Sequence, residues 1–179
     1  DGPSDLLPKD NPKTTQAFGQ QFGPRKAGQL RVLFAGAGSS HNFPAFFLGT
    51  DALTGVRVFF PIRGQVAASQ AAVAAGFALD AFQSNSASEL VNKIHDARSK
   101  YSAIIINPGA FTHYAWSISD ALNAFDGPVV EVHISNPQSR ESWRHTSVVA
   151  PVSIGTIAGF GQQSYVLGVQ AIAHYLNNN

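Results

Sequence analysis

From residue 30 onward, short apolar runs alternate with stretches of helical spacing. Residues 30–35, 77–82, 102–106, 128–133 and 154–159 read as strands, each brief and largely apolar, with a Gly, Asn or Ser within the next two residues. Residues 65–75, 88–100, 117–125 and 162–176 read as helices. In the second of these, Leu90, Val91, Ile94 and Ala97 recur at helical spacing. Near-continuous apolar strands separated by helices predict an α/β fold, a parallel sheet covered on both faces.

The first 29 residues are rich in Pro, Gly, Gln and Lys and show little periodicity, which predicts an extended arm. Residues 30–179 then form one domain. Within it, residues 56–60 (Val-Arg-Val-Phe-Phe) read as an added strand. The aromatic residues Phe43, Phe46, Phe47, Phe59 and Phe60 suit a core or a subunit contact.

In a parallel α/β sheet, ligands bind beyond the carboxyl ends of the strands. Four polar clusters fall there: residues 36–41, 83–85, 107–113 and 133–136. The last carries the most chemistry. Glu131 and His133 are i and i+2 in a strand and so share a face, where a carboxylate fixes the tautomer of an imidazole. Ile134, Ser135 and Asn136 follow with backbone N–H groups and short polar side chains, a cradle for a small anion. Arg140 and Arg144, spaced i,i+4, are expected to share one helix face.

Composition narrows the classes. The chain has 179 residues, 13% of them charged, with a formal net charge of +1. That balance argues against a nucleic-acid partner, which needs a basic face, and no apolar run is long enough to span a membrane. With no Cys there is neither disulfide nor thiolate chemistry. The start at Asp1 and the absence of Met suggest a processed product. Export to a periplasm or beyond is expected over a cytoplasmic place. Gly36 and Gly38 lack the rest of a dinucleotide or P-loop fingerprint. The six histidines show no metal-ligand pairing on a helix face. His95 and His145 read as surface residues, and Ser39 and Ser40 lack a nucleophile elbow.

Several segments together resemble the type II 3-dehydroquinate dehydratases. They are Phe82-Gln-Ser-Asn85, Ile94-His-Asp-Ala-Arg98, Ile104-Ile-Ile-Asn-Pro-Gly-Ala-Phe-Thr-His113, Ser119-Asp-Ala-Leu122, Pro128-Val-Val-Glu-Val-His-Ile-Ser-Asn-Pro137, Ser139-Arg-Glu141, Trp143-Arg-His145 and Gly159-Phe-Gly161 with Tyr165. The resemblance covers about residues 77–176. It implies a flavodoxin-like doubly wound sheet with helices on both faces and a homo-oligomer, a dodecamer built of trimers. It also implies anti elimination of water from 3-dehydroquinate through an enolate, without metal or organic cofactor. By the same resemblance His133 would be the general acid, held by Glu131, and Asn107 would hold the leaving hydroxyl or the water that stabilises the enolate. Ile134 and Ser135 would bind the substrate carboxylate, and His113 and Arg144 the ring hydroxyls. Arg140 would lie near the catalytic base, and Asp120 would reach a neighbouring subunit's site.

The amino-terminal half departs from that family. Its Asn-Gly-Pro-Asn-Leu-Asn after the first strand is replaced by residues 35–40, and its Asn-His-Glu-Gly after the second by residues 85–88. Arg63 stands where the family's lid tyrosine, its base, precedes a glycine, and no tyrosine occurs before Tyr101. The lid, about residues 40–63, is longer and apolar. Arg57 or Arg63 could replace the family's lid arginine, but a guanidinium stays protonated and cannot serve as a base. Tyr114 and His41 are the candidate substitutes. Three readings follow: a dehydratase with a rebuilt lid, a relative acting on another cyclic polyol carboxylate, or a non-catalytic assembly protein.

Overall fold

The structure, a computed structural model, describes residues 31–36 and 62–178. The arm at 1–29, the added strand at 56–60, His41 and most of the lid segment lie outside the described residues.

Five parallel strands form one sheet among the described residues: β1 (Arg31–Gly36), β2 (Ala78–Gln83), β3 (Ala103–Asn107), β4 (Val129–His133) and β5 (Gly155–Ala158), in the order β2-β1-β3-β4-β5. Four helices accompany them: α1 (Ile62–Ala74), α2 (Ala87–Ala97), α3 (Trp116–Asn123) and α4 (Gln163–Asn178). This is the flavodoxin-like doubly wound order. The strand and helix ends agree with the sequence expectation to within about three residues, the usual slack of element boundaries.

The sheet is covered on both sides, as its apolar strands require. Ile104 and Ile106 of β3 pack with Leu33, Ala35, Leu90, Ile94, Ile118 and Leu122 on the α2/α3 side. The alternate residues Ala103 and Ile105 pack with Val32, Val130, Val132, Ala68, Ala72, Val169 and Ile172 on the α1/α4 side. Every residue of β4 is buried, whereas β2 and β5, at the two ends of this sheet, are partly exposed.

Local sequence explains the helix starts and the closest packing. Ser86 caps α2 by accepting from the Glu89 N–H, a Ser/Thr-x-x-Glu start. Gly168 lets α4 lie close on the sheet: a Cβ there would sit 3.1 Å from Val132 Cγ1 and 3.3 Å from Ile105 Cγ2. Among the described residues no helix is long and apolar enough to cross a membrane.

Candidate active site at the carboxyl ends of the strands

Asn107 ends β3 and His133 ends β4, while Gly36 of β1 pairs with both Gln83 of β2 and Asn107. The four polar clusters expected from sequence therefore begin at one end of the sheet. Side-chain alternation puts Glu131 and His133 on the α2/α3 face and Asn107 on the α1/α4 face, so these groups approach the strand ends from opposite sides.

Glu131 is fully buried and accepts from four side chains. His133 Nε2 donates to Oε1 across 2.8 Å. Thr112 Oγ1 also donates to Oε1. Ser147 Oγ lies 3.1 Å from Oε1 and 3.0 Å from Oε2, and Thr156 Oγ1 donates to Oε2 across 3.2 Å. A carboxylate surrounded by donors is ionised. Burial pushes the Glu131 carboxyl up, but the hydrogen bonds from His133, Thr112 and Ser147, with the His133 charge, outweigh it and the net direction is down.

That network fixes the imidazole. With Nε2–H given to the carboxylate, Nδ1 is the nitrogen left for chemistry, and it has no hydrogen-bond partner among the described residues. The side chain of His133 is 10% exposed, enough to meet a ligand from one side. Ser147 also ties the pair to its scaffold, accepting from the N–H groups of Val149 and Ala150 at 3.1 and 2.8 Å.

The turn after β4 is braced from outside. His133 and Ile134 carbonyls accept from Gly159 N and Gly161 N at 3.3 and 2.9 Å. Gly159 has φ +93 and passes close to Asn136, with a Cβ there 3.2 Å from Asn136 Cβ, so a side chain would strain the backbone and crowd Asn136. Among the described residues, the N–H groups of Ile134, Ser135 and Asn136 donate to no turn or loop carbonyl. Ile134 is half-buried and Ser135 exposed.

Arg140 and Arg144 do not share a helix face. Asn136 and Pro137 start a short 3-10 turn (Pro137–Ser139) that ends at an extended Arg140, and Arg144 lies in a second turn, Ser142–His145. They meet instead at Glu141: Arg144 Nε donates to its Oε2 at 2.7 Å, and Arg140 Nε lies at 3.6 Å. Glu141's own backbone N–H and the Arg144 hydrogen bond hold its carboxyl below the usual range. The Arg144 guanidinium also stacks over Trp143, 4.0 Å from the ring centroid. His113 meets the same ring edge-on at 5.2 Å and makes a 2.7 Å hydrogen bond from Nδ1 to the Thr146 carbonyl. A carbonyl only accepts, so Nδ1 is the donor in that bond.

Asp120 is exposed on α3, and Tyr114 is exposed beyond the turn Gly109–His113, its ring edge-on to Phe111. Arg63 lies in the first turn of α1, which describes its backbone only. The sequence reading missed Thr112, Ser147 and Thr156 as donors to Glu131, and Trp143 as the ring under Arg144. Each is an isolated hydroxyl or aromatic in a separate segment, with no spacing to mark it. Among the described residues no group of three or more His, Cys, Asp or Glu could hold a metal ion.

Comparison with known proteins identifies the family. Residues 56–173 match the family described as Dehydroquinase class II, a span that begins before the resembling segments at 77–176. A 3-dehydroquinate dehydratase of Caldicellulosiruptor bescii is 50% identical over 103 residues, 57% of this chain and 71% of that protein. One of Dictyoglomus turgidum is 55% identical over 95 residues, 53% of this chain and 66% of that protein. The solved type II dehydroquinase of Propionibacterium acnes superposes with a TM-score of 0.65 at 30% identity, covering 80% of this chain and 98% of that one.

Proposed function

Because the chain belongs to the class II dehydroquinase family, we propose that it dehydrates 3-dehydroquinate to 3-dehydroshikimate, as a carbon–oxygen lyase. The observation that carries the reading is the buried Glu131–His133 pair, with Nδ1 of His133 left for chemistry beside an anion cradle.

In this reading the substrate carboxylate sits on the N–H groups of Ile134 and Ser135 and on the Ser135 hydroxyl. A base removes the proton next to the ketone. The charge that develops on the enolate oxygen is met by a preorganised N–H donor, the role of Asn107, directly or through a water. Protonated His133 then gives its Nδ1 proton to the departing hydroxyl, so that water leaves and the ring double bond forms. Glu131 carries its negative charge against the imidazolium that this step needs. His113 and Arg144 hold ring hydroxyls, and Arg140 favours the ionised form of the base. The base is Tyr114 or His41, and Arg57 or Arg63 supplies the lid cation. The active form is a homo-oligomer in which Asp120 reaches a neighbouring site.

The test is direct. Purified protein mixed with 3-dehydroquinate is expected to raise the ultraviolet absorbance of the conjugated enone, and His133→Ala to abolish the rise. Tyr114→Phe and His41→Asn then identify the base, whose loss lowers kcat by about 100-fold or more. No rise, with 3-dehydroquinate still raising the melting temperature, would mean a pocket that binds without this chemistry.

A further inference from the structure

We propose that Tyr165 is a positioning residue that sets the amide of Asn107 for its work at the strand ends. The inference rests on the dehydratase reading for the role of Asn107 and on geometry for the rest. Tyr165 lies in the first turn of α4, its side chain buried among the residues that cover the α1/α4 face. Its hydroxyl comes back to the end of β3 and accepts from Asn107 Nδ2 at 2.8 Å. The other end of the amide is held as well, because Asn107 Oδ1 accepts from the Gly109 N–H at 3.2 Å.

Donor inventory gives the consequence. An asparagine amide offers two N–H groups and one carbonyl oxygen. A flipped amide would aim Nδ2 at the Gly109 N–H, donor against donor. The observed orientation is therefore the one that satisfies both partners, and among the described residues it leaves the second Nδ2–H of Asn107 for a ligand. An unanchored asparagine would sample several rotamers and present that donor only part of the time. Burial raises the Tyr165 hydroxyl above the usual phenol range, and the Asn107 hydrogen bond only partly offsets it. The phenol thus keeps its proton at neutral pH and is not the missing base.

Tyr165→Phe keeps the ring and removes the hydroxyl. It is expected to lower kcat roughly 10- to 100-fold while KM changes little, because the misplaced donor acts on the enolate more than on bound substrate. The decisive readout is a double-mutant cycle. In an Asn107→Ala background, Tyr165→Phe should cost nothing further. An equal loss in both backgrounds, or no loss in the first, would overturn the proposal. A measurement on the unmodified protein guards against a variant that fails to fold. By nuclear magnetic resonance, one Asn107 side-chain amide proton is expected to be protected from exchange and the other not. Rapid exchange of both overturns the positioning role. No turnover by the unmodified protein overturns the dehydratase reading instead, and the amide measurement still decides the role of Tyr165.

Discussion

Thr156 of β5 stands directly opposite Glu131 of β4 in the parallel ladder and donates a hydrogen bond from its hydroxyl to the buried carboxylate. Two neighbouring strands thus share the task of keeping one negative charge inside the protein. Thr156→Val preserves the shape and removes the donor. It should lower unfolding stability by about 1–2 kcal/mol in a denaturant titration, the usual scale for a lost hydrogen bond to a charged group. A change below the error of the titration would show that the remaining donors suffice.

The pH dependence follows from the direction of the Glu131 shift. Its carboxyl is lower in the folded state than in the unfolded chain, so folding favours the ionised form. The resulting stability is fully present above the unfolded value, about 4.3 for a free glutamate. It is lost as pH falls through the folded value. Glu131→Gln removes this contribution, so its stability curve should fall less steeply below about pH 4.3 than that of the unmodified protein. Parallel acid limbs for the two proteins would place the acid sensitivity elsewhere.

Trp143 supports two groups at once, the Arg144 guanidinium stacked on its ring and His113 at its edge. Trp143→Ala should raise KM for 3-dehydroquinate about tenfold, roughly what a lost cation–π contact of 0.5–2 kcal/mol and a loosened His113 give together. Trp143→Phe should recover most of it. An unchanged KM in the alanine variant would detach this ring from substrate binding.

At Gly168 two effects oppose each other. Alanine would gain up to about 1 kcal/mol of helix propensity. Its Cβ would also press on Val132 and Ile105, both in the packed interior, and overpacking costs roughly 1–3 kcal/mol. Gly168→Ala is therefore expected to destabilise, and Gly168→Val more so. A higher melting temperature for the alanine variant would show that α4 can move outward at no cost.

Much of this was legible in the sequence, for reasons that also mark the limit. The buried runs at β3 and β4 carry their burial in composition, and Glu131 with His133 share a face by strand periodicity alone. Arg140 and Arg144 were misread because their spacing suits an α-helix, whereas Asn136 and Pro137 start a 3-10 turn that leaves Arg140 extended. Thr112, Ser147 and Thr156 carry no local sign of their role. They come together only when β4, β5 and the loops around them fold about one carboxylate.

Asn107 and His133 reach the strand ends from opposite faces of the sheet. The sheet therefore acts as a partition with separate tenants. Residues along α4 can be exchanged to retune the amide side while the imidazole side keeps its surroundings, and changes around Thr112 and Ser147 can do the reverse. What neither side can alter alone is the pairing of β3 with β4. A one-residue slip there would carry Glu131 and His133 together to the α1/α4 face, away from the Thr112 and Ser147 hydroxyls that hold the carboxylate.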